Sequence, residues 1–139
     1  MKPFKAPSVS LSAPDDWTDG STYMIYGPET AGGHPSMVVT IMYSGPKDGT
    51  RAHVDRQLPE LRKLPEFRQE RLEALPDLEG VFLQFAWKQP AGPPLRVRQW
   101  YLVIEKVLYT LTATAPAAVF EEKQAVFDEM VKGFAAKRW

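Results

Sequence analysis

Side chains suited to chemistry are few and scattered in this chain. There are two histidines, His34 in a Gly-Gly-His-Pro loop and His53 near the start of a helical pattern. Neither has a histidine or carboxylate at the spacing of a metal site. Gly32-Gly33 lacks the G-x-x-x-x-G-K-[ST] frame that cradles a phosphate, and no serine sits in a nucleophile elbow. Cysteine is absent, which excludes disulfides, thiolate catalysis and zinc–thiolate sites. Asp15-Asp16 reads as a solvated turn pair before Trp17, and Arg62-Lys63 and Arg68 to Arg71 interleave with glutamates as on a solvent face. Arg96 and Arg98 are too small a basic track for a nucleic acid. We expect no enzyme, no metal and no cofactor.

Two amides stand out instead. On a helical wheel at about 100° per residue, Gln57 falls between Leu61 and Leu64, inside the apolar stripe. Gln99 sits in the strand row Val97, Tyr101, Val103. An amide in an apolar surface is costly unless it finds a partner, and it offers both donors and acceptors. One such residue is readily explained by a backbone group at a sheet end or loop. Two, on elements that flank one face, favour a role in reading a partner.

The elements that must position them follow from periodicity and turn signals. The chain has 139 residues, which suits a single domain over residues 1–139. Seventeen basic and 17 acidic side chains cancel, which argues against nucleic acid or an anionic membrane as partner. A hydrophobic fraction of 44% excludes a disordered chain. The longest apolar stretches are short, Trp100 to Ile104 for example, where a spanning helix needs about 20 residues. No targeting segment is visible, so a soluble, cytoplasmic protein is expected. The 13 prolines and several glycines punctuate strand-like segments at Ser8 to Ala13, Thr22 to Tyr26, Met37 to Tyr43, Phe67 to Leu75, Gly80 to Gln89, Leu95 to Glu105 and Val107 to Ala115. Val54, Leu58 and Leu61 mark a first helix, expected to kink or restart at Pro59. Pro116 suits the first turn of a second, amphipathic helix carrying Phe120, Phe127, Met130, Val131 and Phe134. The order β-β-β-α-β-β-β-β-α implies an α+β fold: a mostly antiparallel curved sheet of six to seven strands with two helices.

The central strands are apolar on both faces. Val97, Tyr101 and Val103 oppose Trp100, Leu102 and Ile104; Met37, Val39, Ile41 and Tyr43 oppose Val38 and Met42. An antiparallel sheet with one wet face would alternate cleanly. Two apolar faces need two covers, and one long helix and one short, proline-interrupted helix cannot supply both. The surplus must meet a second subunit, a ligand or a partner protein, unless loops and a strongly twisted sheet close the gap.

Several stretches resemble a known family. They are the turn Pro14-Asp15-Asp16-Trp17, the helix step Gln57-Leu58-Pro59, the strand end Phe85-Ala86-Trp87, the glutamine–aromatic strand Gln99-Trp100-Tyr101, and Leu111-Thr112-Ala113-Thr114-Ala115-Pro116 before a Phe-rich helix. Together they resemble the DcrB-related family with its Mog1/PsbP-like fold, and within it the Eag chaperones of bacterial type VI secretion. The resemblance implies a cytoplasmic homodimer that binds the N-terminal transmembrane helices of PAAR-type effectors, shields them from water and aids loading on the VgrG spike. It also implies that the concave sheet face and glutamines make the contacts. Carried to this chain, the candidates are Tyr23 and Ile25 on one strand, Val39 and Ile41 on the next, Gln57 and Leu61 on the helix, and Gln99 and Tyr101 on a central strand. Val39→Gln or Gln99→Ala should then weaken partner binding without unfolding the chain. A one-residue slip would invert each strand's choice. Two other functions compete. One is a PsbP/DcrB-like protein-binding module of the cell envelope, which would call for an export signal. The other is a small-molecule cavity enzyme, which would need convergent titratable groups; the apolar rows offer only Glu105, at a strand end.

Overall fold

The computed structural model describes residues 2–6, 9–13, 20–30, 32–43, 45–75 and 79–136. Its elements are β1 (Lys2–Ala6), β2 (Val9–Ala13), β3 (Gly20–Tyr26), β4 (Ser36–Met42), α1 (Thr50–Leu61), β5 (Arg68–Leu75), β6 (Gly80–Lys88), β7 (Pro94–Ile104), β8 (Val107–Pro116) and α2 (Phe120–Ala136). The Pro14-Asp15-Asp16-Trp17 and Pro76-Asp77 turns lie outside the described residues. The fold is α+β, a six-stranded antiparallel curved sheet with two helices. Each expected strand is present. Lys2–Ala6 adds one more, pairing with β2 in a separate two-stranded sheet.

The main sheet runs β3-β4-β8-β7-β6-β5. Its centre is the β7–β8 hairpin, where Leu95 to Ile104 pair with Pro116 back to Val107. The hairpin turns on only two residues, Glu105 and Lys106, with φ of 51° and 67°. Positive φ at both positions is the geometry of a type I′ turn, whose twist matches the flanking strands. Here non-glycine residues adopt it, at a cost of about 1 kcal/mol or more each. Gly80 opens β6 where a β-carbon would lie 2.7 Å from the Tyr101 carbonyl oxygen; only glycine lets the two backbones come that close.

Each helix covers one face. α2 lays Phe120, Phe127 and Val131 on Met37, Phe82, Trp100, Leu102, Tyr109 and Leu111. α1 lays Val54 and Leu58 on Val81, Leu83, Phe85, Val97 and Tyr101. Two expectations at helix ends are corrected. α1 does not restart at Pro59 but continues to Leu61 as one helix. Asp55 and Pro59 are both exposed, so the carbonyl deprived of its donor by the proline lies on the wet side, where water serves it. Pro116 does not start α2; it closes β8, and a turn leads to Phe120.

Candidate functional site

Strand register determines which side chains share a face, because paired residues in antiparallel strands point the same way. Tyr23 pairs with Val39, Val39 with Leu111, and Leu111 with Trp100. These belong to the α2 side. Met24 pairs with Val38, Val38 with Thr112, Thr112 with Gln99, and Gln99 with Leu83. These belong to the α1 side. Parallel rows on the α1 side run Thr22–Thr40–Thr110–Tyr101 and Tyr26–Ser36–Thr114–Val97.

α1 packs mainly on β6 and β7, with Leu108 of β8 in the same core, so its cover thins over the rest of β8 and over β4 and β3. On the rest of that face Thr22, Met24, Tyr26, Thr40 and Met42 are exposed, and Val38, Thr110, Thr112 and Gln99 are half-buried. Met24 is 53% exposed and Tyr26 68%. These positions hold no Asp, Glu, Lys or Arg. They form a floor of short hydroxyl and aliphatic side chains edged by methionine and tyrosine. α1 is the wall. His53 stands edge-on to Tyr101 with ring centroids 5.9 Å apart, which turns the His53 flank of α1 toward β7. Gln57 follows one turn later on that flank and is exposed. Burial holds the His53 ring below its ordinary pKa of 6.5, the Arg56 charge adds to this, and Asp48 opposes it.

Gln99 is fixed by its neighbours. The Tyr101 hydroxyl donates to its Oε1 at 2.6 Å, and its Nε2 donates to Thr112 Oγ1 at 3.3 Å. Burial pushes the Tyr101 phenol far above its ordinary pKa of 10.0, so it stays protonated and remains a donor.

The eight residues expected to form one surface therefore divide between two. Gln57, Leu61, Gln99 and Tyr101 are on the α1 side. Leu61 is half-buried against the α1 core, and Tyr101 is buried within it. Tyr23, Ile25, Val39 and Ile41 are on the α2 side, and their grouping with the glutamines is corrected here. Val39 and Ile41 pack against the α2 core. Ile25 borders a groove of about 230 Å³ with Met37, Val126, Phe127 and Met130. The physical reason is a slip of one residue on β3 and β4. Met24, Val38, Thr40, Met42 and Thr112 take the vacated places on the open face. The signal that reveals them is the clean alternation of β8, where Thr110, Thr112 and Thr114 must share the face of Gln99.

The α2 side also carries a buried polar network. Arg98, 7% exposed, donates from Nε to Gln84 Oε1 at 2.9 Å and from NH1 to Asp128 at 2.9 Å. Gln84, 4% exposed, donates to Glu70 at 3.0 Å, and Arg96 reaches the same carboxylate at 3.1 Å. Burial alone would raise the Glu70 pKa, but the hydrogen bonds from Gln84, Arg96 and Arg68 outweigh it and hold it below 4.5. The network ties β5, β6 and β7 to α2. Among the described residues, no group of acidic or histidine side chains is placed to hold a metal ion, and no helix is long and apolar enough to cross a membrane.

The DcrB family model matches residues 9–133. The chain belongs to the DcrB family. A crystal structure of the protein of unknown function PA94 from Pseudomonas aeruginosa shares the fold, with a TM-score of 0.71 at 21% identity over 94% of this chain and 93% of that one. No curated protein matches the sequence. As a DcrB-family chain, this one presents a sheet with α2 packed on one face and α1 on part of the other.

Proposed function

We propose that this protein is a holding chaperone of the Eag type, which binds the N-terminal transmembrane helices of a PAAR-type type VI secretion effector in the cytoplasm and aids its loading on the VgrG spike. The observation that carries this is the open half-face over β3, β4 and β8, built of threonine, methionine, valine, tyrosine and glutamine side chains and without a formal charge. A membrane-spanning segment in water is an apolar rod with few polar handles, and its best host is a dry surface with a few amides and hydroxyls. The chain itself shows what fits such a sheet: the opposite face of β8 is covered by α2, a 17-residue helix. Three strand spacings of about 4.8 Å leave room for a helix about 10 Å across. Buried apolar area at roughly 25 cal/mol per Å² supplies affinity without demanding one sequence, and no catalysis or nucleotide is needed.

We further propose that two copies act together. The two sheet edges differ. β5 carries Arg68, Glu70, Arg71 and Glu73, charges that discourage edge pairing. β3 reads GSTYMIY, without charge or proline, and its Tyr23 to Tyr26 are exposed. An apolar edge of this kind is a template for another chain, and a homodimer satisfies it.

The test is co-expression with the N-terminal membrane-spanning segment of the PAAR protein encoded nearest this gene. A soluble complex that co-elutes on size exclusion is the expected result. A segment that stays insoluble or elutes alone contradicts the function, and the envelope-binding module becomes the better account.

A further inference from the structure

We infer that the groove between β3 and α2 binds a free medium-chain fatty acid, its carboxylate on Lys123 and its chain along Ile25, Met37, Val126, Phe127 and Met130. The groove is on the α2 side of the sheet, behind the face assigned above to a helical segment, and it needs nothing from the holding function.

Strand pairing sets the floor. Ile25 pairs with Met37, and Met37 with Ala113, so all three face α2. Phe127 of α2 reaches Met37, and both are buried. The helix does not reach as far as β3: Ile25 and Val126 are each 54% exposed. Between them runs a groove of about 230 Å³, with Met130 on its helix side and Pro28 and Pro35 at its loop end. Lys123, Val126 and Met130 share one flank of α2, at spacings of three and four residues. The volume equals that of about eight water molecules at about 30 Å³ each. That holds one unbranched chain of about as many carbons, and it is far too small for a helix about 10 Å across.

Charge chooses the head group. Lys123 is the one charged side chain in the lining. It is half-buried, and among the described residues it has no hydrogen-bond or ion-pair partner. Glu29, Glu122 and Glu129 are near it in sequence, but all three are exposed and none bridges to it. A half-buried ammonium without a counter-ion attracts an anion, and one cation matches a monoanion; a phosphate dianion would keep a charge uncompensated. A peptide's terminal carboxylate is usually captured by a nest of backbone N–H groups, which this groove lacks. Pro28 and Pro35 have no N–H, and Gly27 N–H already donates to the Pro35 carbonyl at 2.7 Å. An apolar slot with a lysine at one end and no backbone donors fits a fatty carboxylate.

The experiment uses octanoate, octan-1-ol and octyltrimethylammonium, which share a chain and differ in head charge. Each is titrated into the full-length protein, below its micelle concentration, by calorimetry and by methyl NMR of methionine-labelled protein. Met37 and Met130 line the groove, whereas Met24 and Met42 are on the opposite face. Octanoate is expected to bind about tenfold more tightly than either other ligand, the worth of one charge-assisted contact. It should shift Met37 and Met130 and leave Met24 and Met42 in place. Lys123→Gln should remove the preference for octanoate over octanol, and Lys123→Arg, which keeps the charge, should retain it. No binding of octanoate, equal binding of octanoate and octanol, or an unchanged preference in Lys123→Gln overturns the inference. Shifts at Met24 and Met42 in place of Met37 and Met130 also overturn it. So does displacement of octanoate by an equal concentration of acetyl-alanyl-leucine, which would make the groove a receptor for a protein C-terminus.

Discussion

Adjacent valines on β4 give a sharp test of face assignment. Val38 and Val39 are both half-buried, yet they point to opposite sides of the sheet. Val39 packs against the α2 core. Fully burying a valine is worth about 1.5–3 kcal/mol, so half-burial is worth about 1 kcal/mol. Placing a poorly paired amide there adds about 1 kcal/mol. Val39→Gln should thus lose about 2 kcal/mol of stability. At about 3 °C per kcal/mol for a chain of this size, Tm falls by about 6 °C. Val38→Gln puts its amide on the open face, where water reaches it in the free protein. Its cost is about 0.5 kcal/mol, a shift of about 2 °C. In a complex, the same amide is pressed against hydrocarbon, and an unpaired polar group there costs about 1–3 kcal/mol, roughly tenfold or more in affinity. Circular dichroism melts and co-purification of the helical segment read the two effects separately. Val38→Gln should melt nearly as the unmodified protein but lose partner. Val39→Gln should melt early and, at a temperature where it is folded, keep partner. A reversal, with Val39→Gln losing partner at unchanged Tm, would refute the register argument.

Three further outcomes follow from the structure. Lys106→Gly relieves one positive-φ residue of the β7–β8 turn and should stabilise by about 1 kcal/mol, raising Tm by about 3 °C in the same melts. Gln84→Leu leaves the Arg98 Nε donor and one acceptor position on Glu70 Oε1 unserved and should cost about 2–3 kcal/mol by urea unfolding. Glu70, held below its ordinary pKa of 4.5, contributes stability that is fully present above that value and is lost as pH falls through its lowered folded value. In urea titrations between pH 7 and pH 3, the stability gap between the unmodified protein and Glu70→Gln should therefore close toward the acid end.

The strands and helices were legible because each carries its own local signal. The β7 and β8 runs are dense in aromatic and β-branched residues, and the Phe120–Phe134 spacing can only be an amphipathic helix. β1 was not legible: Lys2-Pro3-Phe4-Lys5 has two charges and a proline in five residues, the composition of an edge. Gln57 and Gln99 were found because an amide in an apolar row is conspicuous. The faces of β3 and β4 were misassigned because Val38, Val39, Ile41 and Met42 are apolar at both parities, so the strand alone does not say which side is in. That choice is made across the sheet, by pairing with the threonine row of β8. The Glu70–Gln84–Arg98 network was equally hidden, since its partners lie 14 residues apart in the chain and Glu70 reads locally as one charge among many.

The absence of cysteine makes the central claim directly measurable. Single-cysteine variants Thr40→Cys, on the open face, and Tyr23→Cys, on the opposite face of the neighbouring strand, can be labelled with a maleimide before and after the effector's membrane-spanning segment is bound. Both sites are exposed in the free chain. An apolar helix seated over β3, β4 and β8 predicts that labelling at position 40 slows sharply in the complex while labelling at position 23 is unchanged. Protection at position 23 with position 40 still reactive, or equal labelling at both in a proven complex, would contradict it.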